Sequence, residues 1–303
     1  MSRVLAIVGP TASGKSALAL ALAEATGGEI VNADAAQVYR DLRIITARPG
    51  ADEEARAPHH LFGQVDAAER YSVGKWLAAA APAVIDIAER RKTPIVVGGT
   101  GLYFKALTEG LADAPPAEPE LREELLARLR QDGPQSLYAE LASLDPETAK
   151  TLGPRDGARV LRALEVWKTT GMSIRALQAN TAPVLSEAQW IGVTLWPERA
   201  TLYKAIEDRF SVMVSEGALD EVRALMARGL DPDLPAMKAI GVPDLIAYLR
   251  GEIKLEKAVE RAQRDSRRYA KRQYTWIRNQ LAAWPNIGEV SPDARADRVL
   301  ALL

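Results

Sequence analysis

The chain opens with five consecutive apolar residues, Val4-Leu5-Ala6-Ile7-Val8. A strand with one wet face alternates apolar and polar positions. An unbroken run predicts a strand buried on both faces, as in parallel sheets. A glycine-bearing loop follows from Gly9 to Ser16. Ala17–Thr26 is rich in Ala and Leu and predicts a helix, ended by Gly27-Gly28. Glu29 to Ala33 predicts a second strand, with Asp34 at its C-terminal end. Trp76 to Arg91 predicts a helix that tolerates Pro82. Pro94 to Val97 predicts another buried strand, running into Gly98-Gly99-Thr100-Gly101. Strand, loop, helix and strand in this order imply an α/β fold, a parallel sheet flanked by helices.

The pattern changes near Asp113. Ala114-Pro115-Pro116-Ala117-Glu118-Pro119 is a proline-rich connector. Helical periods without strand signals then run from Glu120 to about Ala179, and Gln189 to Trp196 restores a strand-like run. After Pro197 the chain is mostly helical. The expected organisation is a core of residues 1–113 and 186–303, interrupted by an all-helical insertion over 114–185.

Composition narrows the reading. With 303 residues and 48% hydrophobic content, a full core can be buried. There is no cysteine, which excludes disulfides and thiolate metal sites and permits a reducing compartment. Val4–Val8 is too short for a signal segment or a membrane span, so a soluble, cytoplasmic protein with no membrane partner is expected. A monomer is expected as well. The net charge is −1, so attraction to nucleic acid must come from local patches.

Two such patches exist. Arg261, Arg264, Arg267, Arg268, Lys271, Arg272 and Arg278 lie close together with only Asp265 opposing within the segment. Arg264, Arg268 and Lys271 share one helical face, while Ala262, Tyr269, Gln273 and Trp276 lie on another that suits core packing. Arg155, Arg159 and Arg162 form a second cluster in the insertion. A solvated surface is the ordinary meaning of a charge run, and contact with a phosphate backbone stands beside it. Two separated patches fit a large polyanion better than a small metabolite. His59-His60 are the only histidines. Without cysteines or a His/Glu pair at helical spacing, they are expected to orient a loop rather than bind zinc.

Gly9-Pro10-Thr11-Ala12-Ser13-Gly14-Lys15-Ser16 fits the phosphate-loop pattern G-x-x-x-x-G-K-[ST]. Glycines let backbone amides wrap a phosphate, and the following helix N-terminus adds a favourable field. Lys15 supplies a point charge, and Ser16 a hydroxyl for Mg²⁺. The core is therefore expected to be P-loop NTPase-like. Nucleotide hydrolases of this class carry an aspartate at a strand end. The strand at Ile95–Val97 ends in Gly98-Gly99-Thr100 instead. The nearby acid is Asp34, and ligands of parallel sheets sit beyond the strand C-termini, so Asp34 and Thr100 both face the phosphate loop. Asp34 could bind the metal, take a proton from a nucleophile, or serve only as a cap or turn residue. Arg122 reads as a surface residue of an amphipathic helix, and Arg209 could pair along its own helix.

These residues resemble the tRNA dimethylallyltransferases, also called tRNA isopentenyltransferases. The phosphate loop has the family's form, and Asn32-Ala33-Asp34-Ala35-Ala36-Gln37-Val38-Tyr39-Arg40 resembles its second motif. Thr46-Ala47-Arg48-Pro49 and His59-His60-Leu61 follow in order. Pro94 to Leu107, Arg162–Val166 and Arg268–Gln273 are similar to further family motifs, so the resemblance spans roughly residues 5–280. It implies transfer of a dimethylallyl group from dimethylallyl diphosphate to the N6 amine of the adenosine adjacent to the anticodon (position 37), in tRNAs reading codons that start with U. Mg²⁺ and the phosphate loop hold the diphosphate, and ATP is not consumed. Asp34 becomes the base or hydrogen-bond acceptor for the amine. Thr100 bonds a diphosphate oxygen, and Arg209 neutralises the leaving group. Contacts to tRNA are implied for Asp34, Ala35, Ala36, Gln37, Thr100, Arg122, Gly157, Ala158, Arg159, Val160, Leu161, Arg268 and Arg272, with the base expelled from its stack. The chain departs from the family at Ala35, commonly Ser, at Phe62-Gly63, commonly Ile-Asp, and at Val242, usually Tyr. These put one hold on the adenosine and one polar loop contact in doubt.

Two other classes share features with this reading. A P-loop nucleoside or small-molecule kinase has the same loop and acid but transfers phosphate from ATP. A non-catalytic RNA-binding module accounts for the basic helix but leaves the phosphate loop without a purpose.

Overall fold

The computed structural model describes residues 2–288, 291 and 294–303. It divides into two compact units, Met1–Thr108 with Leu185–Leu303, and Glu109–Val184. In chain order the first contains β1 (Val4–Val8), α1 (Lys15–Thr26), β2 (Glu29–Asn32), α2 (Ala51–Arg56), β3 (His59–His60), α3 (Val73–Glu89), β4 (Pro94–Gly98) and α4 (Gly101–Thr108). The second is helical: α5 (Pro119–Asp132), α6 (Pro134–Leu144), α7 (Pro146–Ala149), α8 (Gly157–Thr170) and α9 (Ile174–Ala179). The chain then returns to the first with β5 (Trp190–Thr194), α10 (Arg199–Ser215), α11 (Ala218–Ala227), α12 (Val242–Leu249), α13 (Leu255–Gln280) and α14 (Arg295–Leu300).

The five strands form one parallel sheet in the order β3-β2-β4-β1-β5. Every residue of β1 and β4 is buried, as unbroken apolar runs require of strands covered on both faces. Leu5, Ile7, Ile95, Val97 and Val193 pack with Leu18, Leu22 and Ala23 of α1. Each of the Leu, Ile and Val side chains, fully buried, contributes about 1.5–3 kcal/mol.

The histidines form the edge strand β3. Glu29, at the start of β2, explains the placement. Its carboxylate accepts from the Arg90 guanidinium (Nη2, 2.9 Å) and lies 2.8 Å from His60 Nε2. Arg90 foremost holds that carboxyl down to about 2, with His60 adding to it and burial opposing.

Gly98 shows how tightly the sheet is closed above the site. A Cβ there would lie 2.0 Å from the main-chain oxygen of Ala33 on the neighbouring strand segment. Backbone in a sheet centre cannot give way cheaply. Gly98→Ala is therefore expected to cost about 3 kcal/mol and to lower Tm by about 5–10 °C. Gly153→Ala, with nothing within 4 Å of its Cβ, should stay within about 0.5 kcal/mol of the parent. Equal melting temperatures for the two variants would contradict this.

In the helical unit, Leu125, Leu137, Leu141, Val160, Leu161 and Leu164 build a separate core. Arg122 and Arg162 both reach Glu165, whose side chain is fully buried.

Candidate functional site

The strand ends and α13 together build the site. After β1 the loop of Gly9–Gly14 leads into α1, and no side chain caps α1 at Gly14. Its first-turn amides thus remain for an anionic ligand. Ala12 adopts φ 63°, a left-handed conformation that non-glycine residues hold only where surroundings enforce it. The Lys15 ammonium folds back and donates to Pro10 O at 3.2 Å. Ser16 is exposed, while the buried Ser13 hydroxyl has no protein partner.

Beyond β2, Asn32 locks the Asp34 loop. Its Oδ1 accepts from Asp34 N at 2.8 Å, and its Nδ2 donates to Asp34 O at 3.1 Å. Asp34 Oδ1 accepts from Ala36 N at 2.9 Å. Beyond β4, the Thr100 hydroxyl accepts from Ala35 N at 2.9 Å. The absence of a hydroxyl at Ala35 therefore leaves the main-chain tie to Thr100 intact. The two strand-end motifs, Asn32–Gln37 and Gly98–Gly101, are one hydrogen-bonded unit.

Gln273 joins that unit to the phosphate loop. Its Oε1 accepts from Thr11 N at 3.0 Å, and its Nε2 donates to Gly99 O at 2.8 Å. A Cβ on Gly99 would sit 2.1 Å from that same amide, so only glycine admits the strap. Sequence reading placed Gln273 on a packing stripe. A polar side chain midway along a buried stripe was the available signal for more.

Arg209 on α10 donates to the Thr11 hydroxyl. It does not pair along its own helix: Lys204 takes the neighbouring Asp208 at 2.9 Å. Thr11, Asp34 and Arg209 line one cavity of about 320 Å³, together with Ala35, Ala36, Tyr269 and Arg272. Ile206, Phe210, Met213 and Ile240 form its apolar side. Burial draws the Lys15 ammonium down to about 8, against the attraction of Asp34 and with the repulsion of Arg209. Burial likewise lowers the Arg209 guanidinium, again opposed by Asp34. Arg209, Lys238 and Arg272 line the cavity against one carboxylate, Asp34, and Lys15 lies within electrostatic reach of Asp34 and Arg209, leaving positive charge for an anionic ligand.

The remaining sequence candidates fall differently. Gln37 lies outside this cavity, and its amide is spent on Thr46 O and Ala47 O, at 3.0 and 2.8 Å. Arg268 is exposed beside Asp265. Arg267 pairs with Glu207 of α10 at 2.6 Å, so a carboxylate outside the basic segment also offsets its charge. In the helical unit, Ala158 and Arg159 are exposed at the start of α8 and Gly157 is half-buried. Val160 and Leu161 are buried in the core of that unit. Gly63 has φ 59°, and the Arg48 guanidinium fills the space its Cβ would need. Val242 is fully buried in the cluster containing Phe210 and Ile45.

The described residues contain no cluster of three His, Asp or Glu able to cage a metal. An exposed serine hydroxyl at a phosphate loop instead fits Mg²⁺ carried mainly by ligand phosphates and water.

Comparison with known proteins agrees along the whole chain. A family model described as IPP transferase matches residues 37–280, and one described as isopentenyl transferase matches residues 2–58. The chain is 52% identical over 303 residues to the tRNA dimethylallyltransferase of Maricaulis maris, covering 100% of this chain and 98% of that one. It is 53% identical over 285 residues to that of Phenylobacterium zucineum, with 94% and 92% covered. Among solved structures, the full-length tRNA isopentenylpyrophosphate transferase of Bacillus halodurans superposes with a TM-score of 0.72 at 36% identity, covering 100% and 95% of the two chains. A eukaryotic dimethylallyltransferase acting on tRNA gives 0.84 at 29% identity, covering 100% and 78%. Fold, strand-end motifs and relatives converge, and the chain belongs to the tRNA dimethylallyltransferase family.

Proposed function

We propose that the protein transfers the dimethylallyl group of dimethylallyl diphosphate to the N6 amine of adenosine 37 in tRNAs reading codons that start with U. The observation that carries this reading is the cavity itself. Cations, a carboxylate and an apolar wall face one another across it, and no carboxylate follows β4 to serve nucleotide hydrolysis.

In the reaction, the amine nitrogen bonds to the allylic carbon as the carbon–oxygen bond to diphosphate breaks. The amine proton passes to Asp34, and diphosphate leaves with its negative charge. Lys15, Arg209 and the amides of the phosphate loop stabilise that developing charge. Thr100 bonds a diphosphate oxygen beside the reacting carbon. Ile206, Phe210 and Met213 shelter the hydrocarbon and exclude water, which would otherwise capture an allylic cation. Ser16 would hold Mg²⁺, which when bound neutralises diphosphate charge. Arg268 and Arg272 on α13, and Arg122 with Gly157–Arg159 in the helical unit, contact tRNA phosphates and sugars. No helix among the described residues is long and apolar enough to cross a membrane. The reading places the enzyme in the cytoplasm, where one chain supplies every group named.

The test is incubation with tRNA, Mg²⁺ and labelled dimethylallyl diphosphate without ATP. Label in RNA supports the reading. Phosphate transfer from ATP instead favours a kinase, and RNA binding without either reaction leaves a binding module.

Lys15 gives a pH prediction. An ammonium titrating at about 8 is charged below that pH and neutral above it. Donor affinity should fall about tenfold from about pH 7 to about pH 9. Lys15→Met should bind the donor weakly with a flatter profile. An unchanged slope in that variant would assign the titration to another group.

A further inference from the structure

We propose that Tyr269 is the surface on which the acceptor purine lies, with its exocyclic amine turned toward Asp34. This rests on the reading of the acceptor as an adenosine of RNA. Three aromatic side chains line the cavity, and two are already committed. Tyr39 is 2% exposed, with its hydroxyl donating to Glu69 O, and Phe210 is 4% exposed within the apolar cluster. Tyr269 is half-buried and shares the cavity wall with Asp34 and Thr11.

The surroundings of the ring select a base over a hydrocarbon. The guanidinium carbon of Arg272, another cavity residue, sits 5.4 Å from the ring centroid. With the guanidinium over one face of the phenol ring, the pair forms a polarisable stack of the kind that unstacked RNA bases extend. Tyr269 belongs to α13, whose outward face exposes Arg268, Lys271 and Arg272. A base swung out of a strand held on that face arrives from the same helix. A short branched hydrocarbon gains nothing from the guanidinium and finds a fully apolar surface in Ile206, Phe210 and Met213. The phenol lies beside the Thr100 hydroxyl. Burial pushes it above its ordinary value, with the Asp34 charge adding and Thr100 opposing, so it stays a neutral donor near pH 7. The ring is therefore within electrostatic reach of Asp34, which takes the amine proton, and beside Thr100, which bonds the diphosphate.

The test uses the full-length protein and two anticodon stem-loop RNAs, one with adenosine at the acceptor position and one abasic there. Dissociation constants are measured for the parent, Tyr269→Phe and Tyr269→Leu. The parent is expected to prefer the adenosine RNA by about 5–100-fold, the range for base–aromatic stacking. Tyr269→Phe keeps the ring and should keep that ratio. Tyr269→Leu should bring it within about twofold of unity and leave the KM for dimethylallyl diphosphate within about twofold. Retention of the parental ratio by Tyr269→Leu overturns the proposal. So does its collapse in Tyr269→Phe, which would place the contact on the hydroxyl. A raised donor KM with an unchanged RNA ratio also overturns it, by assigning the ring to the hydrocarbon. ATP-free prenyl transfer by the parent is scored separately, so a failed Tyr269 result leaves the function standing, and failure of transfer removes the function itself.

Discussion

Asp34→Asn is expected to lower turnover about 10²–10⁴-fold while changing tRNA affinity by no more than about threefold. The exocyclic amine of adenosine is a weak nucleophile because its lone pair is delocalised into the ring. Carbon–nitrogen bond formation makes it acidic, and an acceptor for its proton must already be in place. Asp34 is so placed: Asn32 holds its main-chain N–H and C=O, and Ala36 N fixes one carboxylate oxygen. Asparagine can keep that turn through its own Oδ1. The substitution removes charge and basicity with little loss of shape, so steady-state rates and RNA binding separate the roles. Near-parental turnover would remove Asp34 from proton transfer and leave it a turn residue.

Arg209→Gln is the second large effect, expected to lower kcat about 10²–10³-fold. The guanidinium bonds the Thr11 hydroxyl in the phosphate loop. Its charge already works against burial and is offset by Asp34. Departure of diphosphate concentrates negative charge where that guanidinium lies. The benefit is therefore larger in the transition state than in the bound donor, and kcat should fall more than donor KM rises. Arg209→Lys should recover little, because a point charge does not reproduce a planar fork of donors. A KM effect with unchanged kcat would make Arg209 a donor-binding group only.

How much of this was legible in the sequence varies with the range of the contact. β1, β4 and the phosphate loop stand out because unbroken apolar runs and a fixed glycine spacing are local signals. The edge strand at His59–His60 is not legible locally. Two polar residues carry no strand pattern, and Glu29, which joins His60 to Arg90, lies 31 residues from the one and 61 from the other in sequence. Strand-end topology places Asp34 and Thr100 beside the phosphate loop, whereas their roles, and Arg209 altogether, come only through family resemblance. The tie of Ala35 N to Thr100 spans 65 residues, and that of Arg209 to Thr11 spans 198. No periodicity encodes such distances. Gln273 escaped for the same reason, since its strap to Thr11 crosses 262 residues. A motif taken as a block does not separate its faces: within Gly157–Leu161, Val160 and Leu161 are buried while Ala158 and Arg159 are exposed.

The central claim is that the phosphate loop grips a departing diphosphate and spends no nucleotide. The direct measurement follows diphosphate release and prenyl incorporation together, with and without ATP, in a reaction containing tRNA and Mg²⁺. Equal amounts of free diphosphate and prenylated adenosine, unaffected by ATP and without ADP formation, are the expected result. Product that appears only with ATP, accompanied by ADP, would contradict it.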